Sequence, residues 1–137
     1  MQILINSADE LPIYRQIMRQ IQQAIAGGRL QPGEKLASHR DLAEQAVVAP
    51  LTVKKAYDEM EKLGYIETRR GLGTFVCANP TLISAADQRE QVQDAARQLL
   101  TLAYLNGMGL DAVMKVLKEA DRDLVQGPLV EGSKEKS

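Results

Sequence analysis

The chain has 137 residues, 45% hydrophobic and 26% charged side chains, and a formal net charge of −1; this is ordinary globular composition, sized for one domain plus a small appendage. A chain of this length buries about two thirds of its unfolded surface, enough for one core and not two large ones. One cysteine (Cys77) and one histidine (His39) exclude an intrachain disulfide, a Cys-rich zinc site and a His/Cys catalytic constellation.

No apolar run approaches the ~18 residues of a membrane span. The first residues, MQILINSADELP, lack a basic region followed by an apolar core, so they do not read as a signal peptide. A cytoplasmic protein with no membrane partner, no metal and no cofactor is the expectation. Residues 1–80 carry ten Lys/Arg and nine Asp/Glu, and residues 81–137 carry seven and nine. Binding to a polyanion must therefore come from local placement of cations, not from overall charge.

In chain order, Ile3 and Ile5 in the lead-in are candidates to pack on the domain. A first helix is predicted from Leu11 to Ala26, with Pro12 in its first turn. Ile13, Ile17, Ile21, Ala24 and Ile25 recur at three- and four-residue spacing and give one apolar stripe. Gly27 and Gly28 end the helix, and Leu30-Gln31-Pro32-Gly33 is a turn. Ser38 reads as an N-cap with Asp41 three residues on, opening a second helix over His39 to Gln45. Ala46 to Ala49 is the turn after it. Pro50 suits the first turn of a third helix, predicted to Leu63, with Val53, Ala56, Tyr57 and Met60 inward and Lys54, Lys55, Asp58 and Glu61 outward.

Gly64 stops that helix, and two strand-like runs follow at once, Tyr65 to Thr68 and Gly73 to Val76, joined by Arg69, Arg70, Gly71 and Leu72. A basic helix followed directly by a hairpin with a basic tip is the pattern of a winged helix-turn-helix. The helix enters a major groove while the tip lies over phosphates or the adjacent minor groove. Beyond the Asn79-Pro80 break a fourth helix is predicted over Ser84 to Asn106, with Val92, Ala96, Leu99, Leu100 and Ala103 on one face. Gly107 and Gly109 interrupt, and a fifth runs from Leu110 to Leu124 with Val113, Met114, Leu117 and Ala120 inward. The fold class is mainly α with a small antiparallel β wing. Its expected units are a DNA-binding domain over 1–78, a two-helix extension over 79–126 and a flexible tail over 127–137.

Several landmarks occur in one register across the first 76 residues: Pro12-Ile13-Tyr14, the run Ile25 to Leu36 (IAGGRLQPGEKL), Ser38-His39-Arg40-Asp41-Leu42-Ala43, Thr52-Val53 through Gly64, and Arg69 to Val76 (RRGLGTFV). Together they resemble the DNA-binding domain of the GntR family of bacterial transcription regulators. The short remainder after the wing resembles the YtrA-type branch, whose two-helix extension dimerises the protein. The resemblance implies a homodimeric repressor on a pseudo-palindromic operator, often that of a transporter operon. The chain departs from the family at Ala37, where a proline is usual, and at Ala49-Pro50-Leu51-Thr52, where the branch often has Asn-Pro-Asn-Thr. The loss of both amides leaves Leu51 with apolar contact alone, for example to a thymine methyl.

The candidate DNA-binding residues are Ser38, Arg40, Leu51, Thr52, Lys54, Lys55, Arg69, Arg70, Gly71, Gly73 and Thr74. Each has a plainer reading beside it. Ser38 is a helix cap, Arg40 a solvated surface charge, and the wing arginines solubility charges on an edge strand. Gly71 and Gly73 serve a tight turn as well as a close approach to DNA. His39 has no partner motif for a metal, and Cys77 reads as a strand residue. The stripe Val92, Ala96, Leu99, Leu100, Ala103 with Val113 and Leu117 is either intrachain core or a dimer seam. Two helices cannot cover both a wing domain and each other, which favours the seam. The extension is expected to hold too little volume for a small-molecule effector of ~300 Å³ or more. A winged-helix module that binds protein in place of DNA is the competing reading, favoured by the near-neutral first 80 residues.

Overall fold

The computed structural model describes residues 2–77 and 85–127. Its elements are α1 (Ile13–Ala26), α2 (His39–Ala46), α3 (Pro50–Lys62), β1 (Ile66–Arg69), β2 (Gly73–Val76), α4 (Ala85–Leu105) and α5 (Leu110–Gln126). They fall into two compact units, Met1–Thr81 with Leu124–Gly127, and Leu82–Asp123 with Pro128–Ser137. The Asn79-Pro80 break, Ser84 and the tail after Gly127 lie outside the described residues.

In the first unit, α1, α2 and α3 close one core. Ile17, Ile21 and Ala24 from α1 meet Leu42 and Ala43 from α2 and Val53, Ala56, Tyr57 and Met60 from α3. Ile66 and Val76 of the hairpin and Ile3 of the lead-in complete it. A fully buried side chain of this size contributes about 1.5–3 kcal/mol of transfer free energy, so this cluster dominates the unit's stability. Among the described residues Gln16 is the buried polar exception. Its Nε2 donates to Asn6 O and Leu11 O, each 2.9 Å, and its Oε1 accepts from Asn6 N–H at 2.9 Å. The side chain thus ties the lead-in to α1, a role that the apolar periodicity does not reveal.

The helix ends follow local chemistry. Ser38 Oγ accepts the Asp41 N–H at 3.1 Å, so α2 has the expected cap. Pro12 is the N-cap of α1 and not its first residue, because its ψ of 150° is extended while its carbonyl already accepts from Arg15 and Gln16. That corrects the predicted start at Leu11. At the end of α3, Gly64 takes φ 85° and Tyr65 N–H donates to Met60 O, the paired closure of a Schellman end. Tyr65 is spent on this closure, so β1 begins at Ile66 and extends through Arg69, one residue later than expected. The turn after α2 differs more: Val47 sits at φ 58°, a left-handed conformation rare for a β-branched residue.

β1 and β2 pair antiparallel, Ile66 with Val76 through Arg69 with Gly73. The segment before α2 joins them, with Leu36 N–H donating to Thr74 O and Lys35 bridging to Phe75. Thr68 N–H donates to Glu61 Oε2 at 2.9 Å, fastening the wing to the end of α3.

In the second unit, Met108 N–H donates to Ala103 O and Gly107 N–H to Tyr104 O, which ends α4 and turns the chain into α5. Among the described residues only Ala103 and Val113 are buried there. Met114, Leu117 and Ala120, expected inward, are exposed, because two helices bury one seam and leave their outer apolar faces uncovered. Among the described residues no helix is long and apolar enough to cross a membrane.

Candidate nucleic-acid interface

Three local structures carry the candidate residues of the first unit: the start of α2, the start of α3 and the wing tip. At the start of α2, Ser38 serves as cap and Arg40 is exposed, with no ion pair or hydrogen bond among the described residues. His39 between them is half-buried. Free N–H groups and a cation at a helix start suit a phosphate.

At the start of α3, Ala49 is the N-cap without a side-chain hydrogen bond, and Pro50 occupies the first turn, as its sequence position indicated. Leu51 is 78% exposed, an apolar side chain left uncovered among the described residues. Thr52 is half-buried, and its N–H donates to Ala49 O. Lys54 is exposed and its Nζ lies 3.0 Å from Asp58 Oδ2, one helical turn on. Such an exposed pair is worth at most about 0.5 kcal/mol, so a phosphate readily competes for the ammonium. Lys55 is engaged differently: its Nζ stands 4.2 Å over the Tyr14 ring of α1. In the sequence Tyr14 stands out only as part of the Pro12-Ile13-Tyr14 landmark. The contact spans 41 residues of sequence, beyond the reach of any local pattern.

At the wing tip the two arginines separate. Arg69 Nη2 lies 2.8 Å from Glu67 Oε1, and its guanidinium stands 4.5 Å over the Phe75 ring. Arg70 is exposed with no partner among the described residues. Leu72 N–H donates to Arg69 O at 2.9 Å, and Gly71, at φ 77°, holds the third position of this turn. One positive φ at that position is type II geometry, which favours glycine. A Cβ at Gly71 would meet nothing within 4 Å, so the requirement is conformational. Thr74 is half-buried, and its carbonyl is taken by Leu36.

Among the described residues two titratable groups are shifted. Burial pushes the Tyr57 phenol up to about 12, so it stays protonated and donates to Ala37 O at 2.7 Å. That bond ties the middle of α3 to the residue before the α2 cap and fixes α3 against the start of α2. Burial also pushes the Cys77 thiol up, Glu67 and Glu61 add to the shift, and Arg69 opposes it. A raised thiol pKa disfavours the reactive thiolate. Among the described residues no group of three or more His, Cys, Asp or Glu is placed to hold a metal.

The dimerisation candidates lie in the second unit. Val92 and Ala96 are exposed, Leu99 and Leu100 half-buried, Ala103 and Val113 buried, and Leu117 exposed. Leu99, Leu102, Ala103, Asn106, Met108, Val113 and Val116 line an almost wholly apolar groove of about 300 Å³. The expectation that the extension holds too little volume for such a cavity is corrected: these side chains of α4, α5 and the turn between them leave the space open among the described residues.

The family model described as bacterial regulatory proteins, gntR family, matches residues 13–76. The chain is similar to the HTH-type transcriptional repressor YtrA of Bacillus subtilis (strain 168), with 34% identity over 91% of this chain and 96% of the relative. It is similar to the crystal structure of a transcriptional antiterminator from Listeria monocytogenes EGD-e at TM-score 0.74 and 37% identity, covering 93% of this chain and 95% of that one. It is also similar to AraR(DBD) in complex with operator ORX1, at TM-score 0.51 and 28% identity, covering 56% of this chain and 96% of that one.

Proposed function

From the premise that this chain belongs to the GntR family of bacterial regulatory proteins, DNA-binding transcription regulators and not enzymes, we propose that it is a homodimeric repressor that occludes a pseudo-palindromic operator. Arg40, Lys54 and Arg70 position it on phosphates, with Ser38, Lys55, Gly71, Gly73 and Thr74 beside them. Thr52 and Leu51 read base edges, Leu51 through an apolar contact. Arg69 shapes the wing and supports the tip. Residues 1–78 bind DNA, 79–126 dimerise and 127–137 form a tail. The protein acts in the cytoplasm.

The observation that carries the DNA-binding role is the exposure of Arg40 and Arg70, neither engaged by a carboxylate among the described residues. Long cations at the start of a reading helix and at a wing tip are the geometry of backbone contact. For the dimer, the supporting observation is the apolar face of the second unit. Leu102 is 63% exposed and Leu105 81%, beside the groove between α4 and α5. A second copy covers that face and fills the groove, which leaves no room for a tight small-molecule effector. Two-fold symmetry then matches half-sites about ten base pairs apart. The likeness to a repressor over nearly its full length supports repression, and resemblance to the YtrA-type branch supports a transporter operon as target.

Sedimentation equilibrium tests the dimer. Wild type is expected at twice the chain mass and Leu102→Glu at the chain mass, with binding to a two-half-site duplex lost and the fold intact. A monomeric wild type overturns the dimer, and a Leu102→Glu variant that stays dimeric places the seam elsewhere.

A further inference from the structure

Glu34, Lys35 and Leu36 run extended beside the wing, although the turn signals before them gave no sign of a strand. Gly33 N–H donates to Val76 O at 2.9 Å, Val76 N–H to Glu34 O at 2.9 Å and Leu36 N–H to Thr74 O at 2.8 Å. Lys35 is the antiparallel partner of Phe75. Residues opposite one another in such a ladder share a face, and neighbours along a strand alternate. Lys35 therefore shares a face with Phe75 and, through the hairpin register, with Glu67, Arg69 and Gly73. Leu36, one step on, is buried on the opposite face.

The Lys35 stem lies against Gly73, the first strand residue after the tip. A Cβ at Gly73 would stand 2.8 Å from Lys35 Cε and 3.5 Å from its Nζ. The missing side chain of Gly73 is what lets the lysine rest there. The neighbouring carboxylates are already engaged: Glu67 holds Arg69 at 2.8 Å, and Glu34 Oε1 accepts from Gln31 N–H at 3.1 Å. Lys35 is exposed and has no ion pair among the described residues. Its backbone stands three residues before Ser38, and its ammonium lies beside the strand that leaves the tip.

We infer that Lys35 is a further phosphate-contacting residue, spanning the gap between the start of α2, with Ser38 and Arg40, and the wing tip, with Arg70. The inference rests on the DNA-binding reading above and extends it. The ligand is a backbone phosphate of the duplex; an ammonium on a flexible stem is a point charge and reads no base. Gly73 thereby acquires a second role, since any side chain there displaces the ammonium.

The test titrates the full chain with its own upstream duplex and with a scrambled duplex, at several salt concentrations. Wild type is compared with Lys35→Gln, Lys35→Arg and Arg70→Ala. Lys35→Gln keeps the stem over Gly73 and removes the charge. It is expected to weaken binding to both duplexes by a similar factor and to reduce the salt slope by about 0.9 per protomer, while Lys35→Arg retains the wild-type slope. The thermal midpoints of both lysine variants are expected to match wild type. An unchanged slope in Lys35→Gln while Arg70→Ala loses slope overturns this inference and leaves the DNA-binding reading standing. Weaker binding at unchanged slope with a lowered midpoint assigns Lys35 to packing on Phe75 and overturns it too. A wild type that binds neither duplex overturns both.

Discussion

The two adjacent wing arginines should separate cleanly by salt. Arg69 is held by Glu67 at 2.8 Å and stacked 4.5 Å over Phe75, whereas Arg70, at the second position of the tip turn, has no partner among the described residues. Each phosphate neutralised contributes about −0.9 to the slope of log K against log salt. A dimer carries two copies of Arg70, so Arg70→Ala should flatten the slope by about 1.8. The affinity gap between wild type and variant then narrows about tenfold between roughly 50 and 200 mM salt. Arg69→Ala should leave the slope nearly unchanged. It removes an exposed ion pair and a cation–π contact, together about 1 kcal/mol of stability. Fluorescence anisotropy over a salt series measures the slopes, and urea denaturation measures the stability. A slope change carried by Arg69→Ala, with Arg70→Ala unaffected, refutes the division of labour argued from these contacts.

Three further outcomes follow from the fold. Val47→Gly relieves a left-handed valine at φ 58° that is 88% exposed and loses little packing; it should raise stability by about 1 kcal/mol, and a lower urea midpoint contradicts the strain argument. Tyr57→Phe deletes the bond to Ala37 O and should cost about 1–2 kcal/mol at neutral pH. The folded-state phenol pKa, about 12, lies above the unfolded value of 10.0, so its contribution is complete below pH 10 and is lost as pH rises toward 12. This decline, on the order of 2–3 kcal/mol, should be absent in Tyr57→Phe, and an identical alkaline limb in both proteins removes Tyr57 as its source. Gln16→Leu leaves the Asn6 and Leu11 backbone groups without their partner and should speed amide exchange in residues 3–11 at a cost of about 2 kcal/mol; unchanged exchange there means another contact holds the lead-in.

The helices and the wing were legible because their ends carry their own chemistry. Ser38 with Asp41, Pro50 and Gly64 each mark a boundary that the structure keeps within a residue or two. The apolar stripes named the core of the first unit for the same reason: periodicity reports which face turns inward. It does not report what covers a face. Met114 and Leu117 carry the right spacing, yet they stand exposed, with no element of their own unit over them among the described residues. The extended stretch around Lys35 is three residues long, too short for alternation to register, and exists because β2 offers it hydrogen bonds. Val47 was unreadable in principle, since its conformation opposes its own propensity and is set by the need to turn from α2 into α3. The wing arginines were legible as a pair; only the position of Phe75 and Glu67 separates them.

The central claim is sequence-specific binding to DNA by a dimer. Its most direct test is fluorescence anisotropy of the purified protein on its own upstream duplex, with a scrambled duplex as control, over several salt concentrations. The account predicts a preference of about 10³-fold or more for the upstream duplex, with one dimer bound per site. Equal, steeply salt-dependent binding to both duplexes, or no binding to either at low salt, contradicts it.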